Sequence, residues 1–209
     1  MSKNSNLILS LYKSRNTIVE LLEYQGYNID NHMTFSINEI DAMYKNKQLD
    51  FLVTHQNNNT KTYIKYFLDS KQIKPNVLDE FIDELFHIET VLTKNDTLLI
   101  IVEDEPNDTI ITKIKYLYDK MGIFVVLHRI TRLQFNILNH NLVPKCEILD
   151  DEEVQQLQKT YNITDIKKIP EISRFDPQAL AMSLRPGQIC KFDRNSATSM
   201  NYTYYRICI

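Results

Sequence analysis

The stretch TLLIIVEDEPNDTIITKIKYLYDKMGIFVVLHRI, Thr97 to Ile130, decides how the larger part of this chain folds. TLLIIV (Thr97 to Val102) and IFVVLHRI (Ile123 to Ile130) are short, nearly continuous apolar runs rich in β-branched residues, the pattern of strands buried on both faces. Between them Asp108 to Lys120 has helical spacing. Two buried strands joined by one helix form a βαβ unit, so the strands are expected to be parallel.

Working backwards, Pro75 to His87 reads as a further helix. DFLVTH (Asp50 to His55) and TYIKYFL (Thr62 to Leu68) flank a polar NNNT turn and predict a hairpin. Ser36 to Asn46 is a helix with Ser36 as N-cap and Glu39 three residues later, a capping box. Asn6 to Gln25 places Leu7, Leu11, Ile18, Leu21 and Leu22 at helical spacing, and Gly26 stands where a left-handed cap would end that helix. This first region is α/β and ends near residue 140.

Working forwards, a second region opens at LVPK (Leu142 to Lys145). Asp150 caps a helix whose first turn is acidic, DDEEVQQLQKTY, which suits the helix dipole. Asp176-Pro177 starts another helix, with the proline at its first position. Arg185-Pro186-Gly187-Gln188 has Pro and Gly at the central positions of a type II turn. QICKFDR and NYTYYRICI then read as two strands around a polar SATS loop. This is a small α+β module of about 65 residues, near the lower size for independent folding.

The 209 residues carry a net charge of −3. The residues from Pro144 onward are electrically balanced, so neither region has the basic excess of a protein that binds nucleic acid unaided. No segment is apolar enough to span a membrane, and the start of the chain lacks the pattern of a secretory signal. Three widely spaced cysteines, Cys146, Cys190 and Cys208, fit a reducing compartment rather than a disulfide frame. Asn, Ile and Lys are abundant, Gly is scarce and Trp absent, as an AT-rich coding sequence would give.

Little in the chain looks catalytic. Asp50 with Asp69-Ser70-Lys71 loosely mimics the spacing of metal-dependent nucleases, in which carboxylates hold Mg²⁺ and a lysine steadies the attacking water. Asp50 begins its strand, however, and Asp69 lies beyond the end of the next, so a solvated loop is the simpler reading. The acidic run EDEPND (Glu103 to Asp108) follows a buried strand, where α/β proteins often bind ligands. Its simpler account is Asp108 as helix cap with the other acids solvated. The five histidines are scattered without metal-ligand spacing. No phosphate-binding glycine loop or nucleophile elbow occurs. Tyr202, Tyr204 and Tyr205 could stack on bases, but with no basic groove beside them a core or interface strand is the better use.

The second region resembles the fifth subunit shared by the eukaryotic nuclear RNA polymerases, whose shorter archaeal counterpart has no N-terminal domain. The likeness runs through HNLVPK (His140 to Lys145), the acidic helix, IPEISRFDPQALAMSL and above all RPGQICKFDRNSATSMNYTYYRICI. Members show a DP pair, here Asp176 and Pro177, and a [KR]xG turn, here Arg185 and Gly187. They also show an R-x-S-x-T-[AS]-G loop, here Arg194, Ser196, Thr198 and Ser199, and a terminal YR pair, here Tyr205 and Arg206. LYKSRNTIVELLEYQGY is similar to the family's first helix and its closing glycine. Two positions depart from the pattern. Met200 replaces the loop glycine, where a left-handed backbone would be strained, and Ser183 stands where the family often has glycine.

The resemblance implies an α/β N-terminal jaw domain, degenerate and nuclease-like (residues 1–140), and a small α+β C-terminal assembly domain (residues 141–209). It implies a non-catalytic structural subunit of a DNA-directed RNA polymerase, with no cofactor and no metal. Its partners would be the largest polymerase subunit and other core subunits, with downstream duplex DNA beside the jaw and no membrane. Leu142, Val143, Pro144, Arg185, Gly187, Arg194, Ser196, Thr198, Tyr205 and Arg206 are the expected partner-binding residues. Pro106 and Asn107 are the expected DNA-proximal ones, with the surrounding acids opposing phosphate. The site of action would be that of transcription. Composition and the divergent jaw favour a large DNA virus, acting in virion and cytoplasmic factory, over a nucleus. A fast-evolving, AT-rich protist would look the same. The alternatives are a Mg²⁺-dependent nuclease using Asp50, Asp69 and Lys71, and a free-standing interaction adaptor.

Overall fold

The computed structural model describes residues 3–30, 32, 35–196 and 200–209, which fall into two compact units, Met1–Asn136 and Ile137–Ile209.

The first unit runs α1 (Lys3–Tyr24), β1 (Tyr27–Asn28), α2 (Ile37–Lys45), β2 (Phe51–His55), β3 (Lys61–Phe67), α3 (Pro75–Ile82), β4 (Thr97–Val102), α4 (Asp108–Tyr116) and β5 (Phe124–Arg129). Its sheet has the order β1-β2-β3-β4-β5. The β2–β3 pair is antiparallel, with Phe51 opposite Ile64, and β3, β4 and β5 are parallel, with Ile64, Leu99 and Val126 in line. The helix between β4 and β5 thus makes the expected βαβ crossover.

Alternation along β3 decides what covers each face. Ile64 and Tyr66 face α1, where the Ser14 and Tyr66 hydroxyls lie 3.5 Å apart. Lys65 and Phe67 face α3, where both meet the Phe81 ring. Helix α4 lies beside α3, tied by Lys113 to Asp79 at 2.8 Å. With helices on both faces, every residue of β4 is buried. On the α1 side Arg15 is buried too. Its guanidinium lies 4.3 Å from the Phe51 ring centre and donates to the Leu49 carbonyl at 2.9 Å.

The capping box of α2 forms as expected, Ser36 accepting from the Glu39 amide and Glu39 accepting from the Ser36 amide. Gly26 has φ +89°, and a Cβ there would stand 3.1 Å from the His55 ring. One expectation is corrected. The N-cap of α4 is Asn107, whose side chain accepts from the Ile110 amide, and Asp108 is the first helical residue. An amide oxygen caps as well as a carboxylate, so the ND pair is one residue ambiguous in sequence. Periodicity also does not reveal that α3 and α4 end in π-helical turns, Asp83–Ile88 and Leu117–Met121.

The second unit runs β6 (Lys145–Ile148), α5 (Asp151–Thr160), β7 (Glu171–Ile172), α6 (Pro177–Ala181), β8 (Ile189–Ser196) and β9 (Met200–Cys208). Its sheet order is β6-β8-β9-β7, so the two expected strands are the central pair of four. The flanking strands have four and two residues, too short for an alternation to register. One face of the sheet, with Cys190, Phe192 and Cys208, packs on Ala179 and Met182 of the α6 segment. The other, with Ile189, Tyr205 and Ile207, packs on Val154 and Leu157 of α5.

Candidate functional site

The turn before β8 has the expected chemistry. Gln188 N–H donates to the Arg185 carbonyl at 3.1 Å and Gly187 has φ +91°, the left-handed third position of a type II turn. The Gly187 amide then donates to the Cys208 carbonyl at 2.9 Å, clamping the end of the last strand. Helix α6 closes just upstream in a Schellman motif. Leu184 N–H donates to Ala179 O, Ser183 N–H to Leu180 O, and Ser183 is left-handed at φ +50°. Ser183 therefore occupies a position that glycine fills without strain. Met200, which opens β9, is also left-handed at φ +57°.

The residues expected to bind a partner divide into those the unit uses itself and those it leaves outside. Tyr205 is half-buried against α5, its ring 5.9 Å from Tyr161. Arg206 donates to the Glu171 carbonyl at 3.0 Å and lies 5.7 Å from the Tyr204 ring. The Pro144 carbonyl accepts from Gln178 Nε2 at 2.7 Å, and Val143 N–H donates to the His140 carbonyl. Arg185 is half-buried, its amide donating to Gln188 Oε1 at 2.7 Å. Gly187 and Arg194 are exposed. Leu142 is 86% exposed, far from any core role. Ser196 stands opposite Met200 at the hairpin end, and Thr198 lies outside the described residues.

Towards the hairpin end one sheet face becomes an aromatic ladder. Tyr204 stacks on Phe192 at 5.0 Å and Tyr202 on Tyr204 at 5.3 Å, with Tyr202 43% exposed. The three thiols sit together below it in the core. Burial pushes Cys208 up to about 11, so it is protonated and unreactive at neutral pH.

In the first unit Pro106 and Asn107 follow β4, and the Asn107 side chain is committed to its cap. The acids around them are not simply solvated, which corrects the sequence reading. Arg132 pairs with Glu105 at 2.8 Å, and Arg129 reaches Asp104 at 3.7 Å and Glu105 at 4.0 Å. Both arginines come from the end of β5 and the turn after it, which parallel pairing brings beside the end of β4. Sequence separation hid them; the βαβ reading could have found them, because it sets Val102 beside Arg129.

The nuclease triplet does not assemble. Asp50 and Asp69 line one cleft of about 510 Å³, yet each faces a different lysine. Asp50 accepts from the Tyr66 amide at 2.8 Å and pairs with Lys65 at 3.7 Å. Lys65 also reaches Glu84 at 3.6 Å. Asp69 lies out in solvent 3.9 Å from Lys47, and the Lys71 carbonyl accepts from the Asp104 amide. Burial raises the Asp50 carboxyl above its ordinary value despite the Tyr66 amide and Lys65. Among the described residues no three His, Cys, Asp or Glu side chains are grouped to hold a metal ion.

Comparison with known proteins falls chiefly on the second unit. A family model described as RNA polymerase Rpb5, C-terminal domain, matches residues 135–208. The DNA-directed RNA polymerase subunit Rpo5 of Thermococcus kodakarensis is 40% identical over 76 residues, 36% of this chain and 92% of that protein. Over nearly full length, DNA-directed RNA polymerases IV and V subunit 5B of Arabidopsis thaliana is 24% identical across 211 residues, 99% of this chain and 93% of that protein. DNA-directed RNA polymerase V subunit 5A of the same plant is 24% identical over 93% of this chain and 86% of that protein. The chain belongs to the Rpb5/Rpo5 family of RNA polymerase subunits.

Proposed function

We propose that this chain is a non-catalytic subunit of a multisubunit DNA-directed RNA polymerase, acting where transcription takes place. Its C-terminal unit docks on the largest subunit, and its N-terminal unit serves as the jaw beside downstream duplex DNA. The observation that carries this reading is that the likeness to Rpo5 proteins covers the small unit, which leaves Leu142, Met200 and Tyr202 exposed. Leu142, Tyr161, Met200, Tyr202 and Ile209 are uncovered apolar surface on this unit, as interface residues would be. The near-neutral charge fits a subunit whose partners supply the attraction for DNA. Residue usage fitting AT-rich codons, together with the divergent N-terminal unit, favours a viral polymerase as the host assembly.

The test is affinity purification through a tag on this chain, followed by mass spectrometry. The largest polymerase subunits are expected to co-purify, and their absence refutes the assignment. Removing Leu184 to Ile209 is expected to abolish co-purification, though it also removes the sheet's centre. Leu142→Asp combined with Tyr202→Ala touches only exposed positions and separates docking from folding. In the jaw, changing Glu103, Asp104 and Glu105 to amides releases Arg129 and Arg132 and removes repulsion. Stronger crosslinking to downstream DNA is expected, and no change across a salt series argues against that loop lying near phosphate.

A further inference from the structure

We infer that the outer edge of β9, from Asn201 to Tyr205, accepts an extended segment of another polymerase subunit, which adds there as a further strand of the C-terminal sheet. The inference rests on the polymerase-subunit reading and specifies how the unit docks.

The backbone sets the geometry. Strand β8 pairs with β9 over its whole length, from Ile189 opposite Ile207 to Ser196 opposite Met200. On the other side β7 reaches only Ile207 and Cys208. Ile207 N–H donates to Pro170 O and Ile209 N–H to Ile172 O, so the odd-numbered residues direct their backbone groups to the β7 side. Cys208 N–H donates to Gln188 O, so the even-numbered ones face β8. The two-residue period therefore turns the N–H and C=O of Asn201, Thr203 and Tyr205 outward, ahead of where β7 begins. Among the described residues no strand pairs with this edge. It offers about 17 Å of strand, an ordinary strand length.

Open edges are usually blunted by proline, charge or a bulge. The opposite edge of this sheet follows that rule: β6 is entered through Pro144 and carries Lys145 and Glu147. The β9 edge does not, because MNYTYY has neither proline nor charge. An unprotected edge of this length is the structure that strand addition uses.

Side chains define the occupant. On one face an added strand would lie beside Tyr202, Tyr204 and Arg206, and on the other beside Thr203 and Tyr205. The matching segment carries apolar or aromatic residues at alternate positions and an acid beside Arg206. A second copy fits less well. Antiparallel pairing of two β9 edges about Thr203 sets each Arg206 against Met200, where no acid is available.

The test combines amide exchange with an edge-specific substitution. In the full chain alone, amides of Asn201, Thr203 and Tyr205 are expected to exchange fast while those of Tyr202 and Tyr204 are protected. In polymerase purified through a tag on this chain, the three outward amides are expected to slow by about tenfold or more. Thr203→Pro removes one outward donor, which an edge strand tolerates, and is expected to lower incorporation about tenfold or more. Thr203→Ala, which loses the hydroxyl bond to Asp193 but keeps the N–H, is expected to incorporate normally. If Thr203→Pro fails to fold alone, the exchange pattern of the wild-type complex decides. Wild-type incorporation with the three amides still unprotected overturns the edge and leaves the subunit reading standing. Failure of the wild type to co-purify with polymerase overturns both. Protection in the isolated chain, together with a dimer mass by light scattering, makes a second copy the occupant and overturns the proposal.

Discussion

Strands β4 and β9 show two ways of using the same backbone. TLLIIV is buried at every residue, because helices cover both faces of its sheet and a strand lies on either side. MNYTYYRIC is exposed over its first half and buried only at Cys208. Its helices, α5 and α6, pack only on the second half of the strand, from Tyr204 to Cys208. One strand spends its side chains on the unit's own core. The other extends beyond that core, and its polar, aromatic composition suits a surface completed by something else. Burial, not strand length, separates scaffold from exposed surface here.

Substitutions can break this contrast, and the largest effect is expected where β8 and β9 enter the core. Phe192 is fully buried beneath Tyr204, so Phe192→Ala should cost about 3–5 kcal/mol and show in chemical denaturation as loss of the C-terminal unit. At the centre of β4, Ile100→Ala should cost about 2–5 kcal/mol by the same measurement.

The next effects have the opposite sign. Ser183 and Met200 both hold left-handed backbone that costs a residue with a Cβ roughly 1–2 kcal/mol, partly offset by glycine's greater unfolded-state entropy. Ser183→Gly and Met200→Gly should each raise stability by up to about 1 kcal/mol in urea titrations. A loss at Met200 would show that its side chain makes a contact worth more than the strain. At Tyr202 the contrast becomes sharpest. Tyr202→Ala loses its stacking on Tyr204 and should cost only about 0.5–1.5 kcal/mol of stability while weakening co-purification with polymerase.

The smallest expected effect is a slope against pH. Burial raises the Asp50 carboxyl in the folded state, so the fold binds that proton more tightly than the unfolded chain does. Its contribution is fully present below the ordinary carboxylate value and is lost as pH rises through the raised one. Asp50→Asn keeps an acceptor for the Tyr66 amide and should flatten that part of the stability profile. An unchanged profile would mean that Lys65 already compensates the charge.

Much of this was legible in the residues. The capping box at Ser36 and Glu39, the type II turn at Pro186 and Gly187, and the parallel pairing of TLLIIV with IFVVLHRI depend on neighbours within a few positions or on a continuous apolar run. Such signals survive in one dimension. The nuclease-like spacing of Asp50, Asp69 and Lys71, set aside on sequence grounds, shows the complementary case, since spacing carries no direction. The fold turns Asp50 towards Lys65 and leaves Asp69 in solvent. Arg129 and Arg132 were invisible beside Glu105 because parallel pairing joins positions more than twenty residues apart.

By itself, then, the sequence determined the principal helices and central strands, their caps and turns, and the family, because hydrophobic period, caps and turn residues act over short range. The tertiary structure alone decided which tyrosines are core and which are surface. It also decided which acids are already neutralised, and that β9 runs on past its partner β7. Those outcomes depend on where helices end over a sheet and on which strands become neighbours. Both are set by packing between distant segments, which no local pattern encodes.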